Sequence, residues 1–198
     1  GNVLLDLGRV EEAKDAYQKS LKINPKEFHL IANLIYTLSK LCLWDELDKL
    51  QPYLEKIGIE GKAVDPLILM YFEDKPLNHL KRALKYTQNY KRKKIITKYD
   101  FQKEDKINIG YFSSDFRNHP VSHLITRVLE LHDKSKFNIF AYSLTNFCDD
   151  YTERIIKAVF CFRKIKDLND LEIINLVRKD KIDIAIDLNG FTENNRIS

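Results

Sequence analysis

Along the first hundred residues, apolar side chains return every three or four positions, and from Ile107 onward the period changes. The first pattern buries one stripe of a helix, so this stretch is predicted to be helical. Beyond it, short β-branched and aromatic runs such as "INIGYFSS" and "IDIAI" alternate with amphipathic segments. Strands are predicted near 107–113, 137–144, 160–165 and 182–188, and helices near 120–131, 150–159 and 170–180. Alternation of this length makes βαβ units, hence a parallel sheet with right-handed crossovers. Between the two patterns, Tyr99 to Lys106 is polar and aperiodic and reads as a linker.

Spacing within the helical part is more specific. "LGRVEEAKDAYQKSLKINP" carries Gly8, Ala13, Tyr17, Ser20 and Pro25 at tetratricopeptide-repeat positions, with Val10 in the usual aromatic slot. Gly8 is predicted to end one helix, Ala13 to let the next approach it, Tyr17 to fill the space between them, and Pro25 to stop the second. The following unit keeps the period and loses the consensus, with Cys42 in place of the turn glycine and Ile59 in place of proline. A degenerate last repeat is what a capping unit looks like. Asn33 falls at an inner-face position from which an asparagine can bond a peptide backbone, and a solvent-facing polar residue fits the spacing equally well. Two further helices, "WDELDKLQPYLEKIG" and "DKPLNHLKRALKYTQNYKRKK", are predicted to flank a loop at "GIEGKAVDP". The expected organisation is repeat helices at 1–60, a helical linker region at 61–105 and a Rossmann-like lobe at 106–198.

Composition narrows the function classes. Hydrophobic residues make up 44% and charged residues 31% of 198, the profile of a globular chain. The net charge of +4 is small and interspersed, which argues against a nucleic-acid partner. Its one cluster, Lys91-Arg92-Lys93-Lys94, fits the last turn of a helix, where cations suit the dipole. No apolar run reaches the length of a membrane span, so no membrane partner is expected. Three cysteines without a CxxC pair suggest reduced thiols and a cytoplasmic location. A start at Gly1 inside a helical pattern suggests a piece of a longer protein.

Open parallel sheets bind ligands beyond the carboxyl ends of their strands. Polar chemistry concentrates in the loops after the first and last strands, "SSDFRNHP" and "NGFTENNR". The first strand is not followed by GxGxxG, so the dinucleotide fingerprint is lacking. Pro120 suits the first turn of a helix, which makes His119 or Asn118 its N-cap. The N–H groups of residues 121–123 would then face an anion. An imidazole kept uncharged beside the positive helix end could accept a proton, which suits transfer of a group from a nucleotide-activated donor to a hydroxyl. A histidine that only caps the backbone explains the same residues. His123, one turn later, reads as a packing residue, and Cys148 and Cys161 as small buried hydrophobes. A metal pair of His119 with His123 lacks a shared face and a third ligand, so no metal is expected. In the last loop Gly190 supplies backbone freedom, and Asn189, Thr192, Asn194 and Asn195 offer hydrogen bonds to a sugar or a peptide. Turn chemistry alone accounts for that composition as well.

Repeats followed by "INIGYFSSDFRNHPVSHLITRVLELHDKSKFNIFAYSL", with "LWDELDKL" before and "IDIAIDLNGFTENNR" after, resemble the O-linked N-acetylglucosaminyltransferases of glycosyltransferase family 41, SPINDLY-like members included. The resemblance covers essentially the whole chain. It implies the N-terminal lobe of a GT-B enzyme that moves GlcNAc from UDP-GlcNAc to Ser or Thr hydroxyls of proteins, with inversion and no required metal. A missing C-terminal lobe would hold most of the nucleotide sugar, so this piece alone is expected to be inactive. By resemblance His119 of the Asn118-His119-Pro120 motif is the catalytic base or acceptor-positioning residue. Asp115, Asn118, Asn189, Gly190, Phe191 and Thr192 fall on the substrate side, and protein acceptors are expected along the repeats. One departure stands out: Cys161 in "AVFCF" takes the slot of a second histidine near the donor sugar. That leaves another donor, such as GDP-fucose, or a non-catalytic adaptor as alternatives.

Overall fold

The computed structural model describes residues 1–88, 105–192 and 194–196, in two compact units that lie within Gly1–Lys93 and Lys94–Ile197. The basic cluster at 91–94 and most of the expected linker fall outside the described residues. No helix among those described is long and apolar enough to cross a membrane.

The helical unit is built from α1 (Asn2–Asp6), α2 (Val10–Ile23), α3 (Phe28–Lys40), α4 (Trp44–Asp48), α5 (Pro66–Leu69) and α6 (Pro76–Thr87). Ala13 and Tyr17 on α2 are buried with Ile31, Ile35 and Leu38 on α3, as the repeat spacing requires. Gly8 ends α1 at φ +73°, and the N–H groups of Gly8 and Arg9 close onto Leu5 and Leu4. Cys42 ends α3 in the same way at φ +55°, with Cys42 and Leu43 closing onto Ser39 and Leu38. The turn survives without its glycine, and the cysteine takes the left-handed strain.

Two expectations for this unit change. The helix predicted across "WDELDKLQPYLEKIG" stops at Asp48, and only a 3-10 turn at Gln51–Tyr53 follows. Pro52 lacks the N–H that would continue it. The predicted loop "GIEGKAVDP" leads directly into a short helix, α5, where Asp65 caps the Leu67 N–H at 2.9 Å ahead of Pro66. Val64 and Leu69 join the same core as Tyr17 and Ile35, so residues after 60 pack with the repeats. Arg82 of α6 is fully buried there, bonding Glu73 and the carbonyls of Leu54 and Ile57.

The second unit is a four-stranded parallel sheet ordered β3-β2-β1-β4. Its elements are β1 (Ile107–Ser113), α7 (Pro120–Leu131), β2 (Phe137–Ser143), α8 (Asp150–Ala158), β3 (Cys161–Lys164), α9 (Asp170–Lys179) and β4 (Ile184–Asp187). Alternation along the strands serves two cores. Ile109, Tyr111, Ile139 and Ala141 meet Leu129 of α7 and Ile155 of α8 on one face. Phe140 and Tyr142 meet Ile173, Leu176 and Val177 of α9 on the other. Gly110 is required on that second face, because a Cβ there would come within 3.0 Å of the Tyr142 ring. The strand order reverses at β1: β2 and β3 lie to one side, and β4 pairs on the other, Ile109–Phe112 against Ile184–Asp187. Crevices at such reversals are where open α/β sheets bind ligands.

Candidate functional site

That strand order sets the loops after β1 and β4 side by side, and a buried hydrogen-bond network joins them. Asn189 is its hub. Its Oδ1 accepts from the Ser114 N–H at 2.8 Å, and its Nδ2 lies 2.7 Å from Ser114 Oγ, 3.1 Å from Thr192 Oγ1 and 3.3 Å from Asp115 Oδ2. Asp187 closes the turn below by accepting from the N–H groups of Asn189 and Gly190, with Gly190 at φ +55°. The Asn189 amide, expected to meet substrate, is committed to holding the two loops together. Thr192 also bonds the Asn189 carbonyl at 2.8 Å, and Phe191 is half-buried in the same turn.

On the β1 side, the Asp115 N–H bonds Ser113 Oγ, and its carbonyl accepts from the Ser122 hydroxyl on α7. The Asp115 carboxylate is almost buried and faces two cationic or basic groups. Arg117 Nη2 lies 3.6 Å from Oδ1, and His119 Nδ1 lies 3.8 Å from Oδ2. His119, not Asn118, is the N-cap of α7: its backbone is extended, and its Nδ1 accepts from the Val121 N–H at 3.2 Å. The His119 carbonyl takes the His123 N–H at 3.0 Å. Two of the three N–H groups expected to face an anion are therefore used inside the helix start. The open position at this corner is the other ring nitrogen of His119, which has no hydrogen bond among the described residues.

Asn118 is also occupied. Its Oδ1 pairs with His123 Nε2 at 2.8 Å, and its N–H donates to Asp149 Oδ2 at 2.6 Å. His123 is exposed, with its ring tilted against Tyr151 at a centroid distance of 4.7 Å, so it contacts its neighbours from the surface. Asp149 went unnoticed in the sequence, although "DDYT" carries the signal: Asp149 and Thr152 form a capping box on α8. Burial pushes the Asp149 carboxyl up, yet donors from Asn118, Thr152 and Tyr151 outweigh it and hold the group below its ordinary range.

Cys161 lies elsewhere. It is the first residue of the edge strand β3 and packs half-buried beside Phe140 and Tyr142, away from the loops at the carboxyl ends. Cys148 is exposed rather than buried, in the loop before α8. In the helical unit, Asn33 donates from Nδ2 to Asn2 Oδ1 at 3.1 Å, which uses part of its amide within the repeat. Beside the network, a cleft of about 270 Å³ opens at the carboxyl edge, lined by Ser114, Arg117, Leu144, Thr145, Phe147, Lys166 and Asn194. Arg117 and Lys166, neither anticipated, give this edge a positive charge suited to an anionic group.

The chain's similarities agree with the repeat and α/β elements described. Residues 77–198 match the description Glycosyl transferase family 41, and residues 1–27 match a tetratricopeptide repeat. This chain belongs to glycosyl transferase family 41. It is 36% identical over 92 residues to a probable UDP-N-acetylglucosamine–peptide N-acetylglucosaminyltransferase, SEC, of Arabidopsis thaliana, covering 46% of this chain and 9% of that protein. It is also 36% identical over 98 residues to the SPINDLY protein of the same plant, which bears the same description, covering 48% and 11%. A Caenorhabditis elegans UDP-N-acetylglucosamine–peptide N-acetylglucosaminyltransferase is 32% identical over 103 residues, covering 50% and 9%. These matches span about a tenth of the curated relatives' length. A solved mutant of the Thermobaculum terrenum O-GlcNAc transferase shares the fold, with a TM-score of 0.51 at 23% identity over 93% of this chain and 30% of that one.

Proposed function

We propose that this family 41 chain is the N-terminal, acceptor-side part of a GT-B protein glycosyltransferase that moves GlcNAc from UDP-GlcNAc to Ser or Thr hydroxyls. The observation that carries it is the meeting of two motifs, the Asn118-His119-Pro120 cap after β1 and the "DLNGFT" turn after β4, at the sheet's carboxyl edge. The acceptor oxygen attacks the anomeric carbon as its bond to the UDP phosphate oxygen breaks, which inverts that centre. UDP leaves with the bonding electrons, and the acceptor hydroxyl gives up its proton to solvent water. No metal is assigned to this step, and most of the nucleotide sugar rests on a lobe outside this chain. Protein acceptors bind the repeats, where Asn33 contacts them, in a cytoplasmic setting.

Asp115 and Asn189 hold the two loops in register, and the Arg117–Lys166 edge meets negative charge on a substrate. Cys161 sits half-buried in an apolar cluster at the start of β3, and the donor competition below tests its expected part in choosing the sugar. The test is sugar transfer to Ser/Thr peptides by a longer protein that carries this chain, read by mass spectrometry with UDP-GlcNAc and GDP-fucose in competition. GlcNAc-modified peptide is expected. His119→Ala is expected to lower turnover about 100-fold or more. Fucose transfer would reassign the donor, and no transfer of either sugar by the longer protein would leave the adaptor reading.

A further inference from the structure

The contact between His119 and the start of α7 says more about the ring than that it caps a helix. A backbone N–H can only donate, so Nδ1, 3.2 Å from the Val121 nitrogen, must carry the lone pair. In a neutral imidazole the proton then sits on Nε2. We infer that His119 is held as its Nε2–H tautomer and serves the transfer reaction as a hydrogen-bond donor to a substrate oxygen gaining negative charge, not as the base that takes the hydroxyl proton. The tautomer stands on the geometry alone, and the role in transfer rests on the function proposed above.

Three observations favour this state over a carboxylate–imidazole pair. Asp115 Oδ2, the one carboxylate oxygen near Nδ1, is 3.8 Å away, beyond hydrogen-bond reach. That oxygen also faces the Asn189 amide at 3.3 Å, and Oδ1 faces Arg117, so the carboxylate is oriented by other donors. Turning Nδ1–H toward Asp115 would strip the Val121 N–H of the side-chain acceptor that caps α7. The side chain remains about one-third exposed, so the ring is within reach of a ligand. A donor there suits a substrate oxygen gaining negative charge, such as a phosphoryl oxygen of the departing nucleotide.

The direct test is a long-range proton–nitrogen correlation spectrum of this chain at about pH 8, where ordinary imidazoles are uncharged. The His119 signals are assigned by comparison with His119→Gln. A protonated Nε2 and a bare Nδ1 are expected, and an Nδ1–H tautomer or an even mixture would overturn the inference. Asp115→Asn is expected to leave the tautomer unchanged; a switch would mean that Asp115, not Val121, holds the ring.

In a longer, active protein, His119→Gln keeps a donor near the Nε2 position but cannot act as a base. It is expected to retain turnover within about 10-fold of wild type, while His119→Ala loses about 100-fold or more. Equal loss in both variants would favour the base. His119→Asn can cap α7 through its own side chain without reaching the Nε2 position, so wild-type thermal stability with Ala-like turnover is expected. Failure of the wild-type longer protein to transfer sugar would defeat the proposed function and leave the tautomer result standing.

Discussion

The two units bury different things. In the helical unit the core is apolar and polar burial is confined, among the described residues, to Thr37 and Arg82. In the α/β unit Ser113, Ser114, Asp115, Ser122, Thr152 and Asn189 are buried around the carboxyl ends of β1 and β4. The first arrangement maximises contact between stripes of side chains. The second fixes two loops in one geometry, and a satisfied buried network rigidifies because each member left alone is costly. A binding unit needs a surface; a reacting site needs fixed positions.

The sharpest way to break this contrast is Arg82, half of an ion pair buried in the helical core. Its guanidinium is fully buried against a nearly buried Glu73. Arg82→Ala strands that carboxylate and is expected to destabilise the helical unit by about 3–5 kcal/mol. Hydrogen exchange should rise across α2 to α6 while β1 to β4 stay protected. Uniform loss across both units would mean that they do not unfold independently.

Asn189→Ala tests the other side. It leaves the Ser114 N–H and the Asp115 carboxylate short of partners and is expected to cost the α/β unit about 2 kcal/mol. Urea unfolding measures the loss, and exchange should increase in the loops at 113–119 and 187–192 first. If only the last loop loosens, the network is not what joins the two.

A smaller effect of opposite sign is expected at Cys42, which holds a left-handed turn that Gly8 forms without strain. Cys42→Gly should raise stability by about 0.5–1 kcal/mol, the left-handed penalty less the entropy that glycine adds to the unfolded chain. A fall in thermal midpoint would show that the cysteine side chain makes compensating contacts.

The smallest effect is one of pH. Glu130 on α7 accepts from Arg154 of α8 and from Arg127, which hold its carboxyl down to about 2. The unfolded carboxyl titrates at roughly 4.3, so this group's support is present above that value and fades as pH falls toward 2. Glu130→Gln should therefore flatten the acid limb of the α/β unit's thermal midpoint between about pH 5 and 2. An unchanged slope would place the acid sensitivity elsewhere, with Asp149 the next carboxylate to test.

Much of this was legible in the residues. Strands and helices of the α/β unit fall within a few residues of their predicted bounds, because the period of apolar positions is a local property. The repeat turn survived even at Cys42, where its usual glycine is gone. Pro120 placed the helix start, and the structure chose His119 over Asn118 as its cap. Prediction failed where distant packing decides. Residues 61–88 gave no sign that Val64 and Leu69 close the repeat core, and nothing local to Cys161, placed by its slot in the family pattern, told that it sits among apolar residues at the start of β3.

The sequence by itself determined the elements of the α/β unit, the helix start at Pro120 and the two polar loops, since each depends on side chains a few positions apart. Only the tertiary structure decided that β4 lies beside β1, because strand order is set by crossovers and by both faces of the sheet together. That pairing brings Asn189 to Asp115, holds Asp115 away from the imidazole, and leaves His119 to spend one ring nitrogen on its own helix and offer the other as a donor.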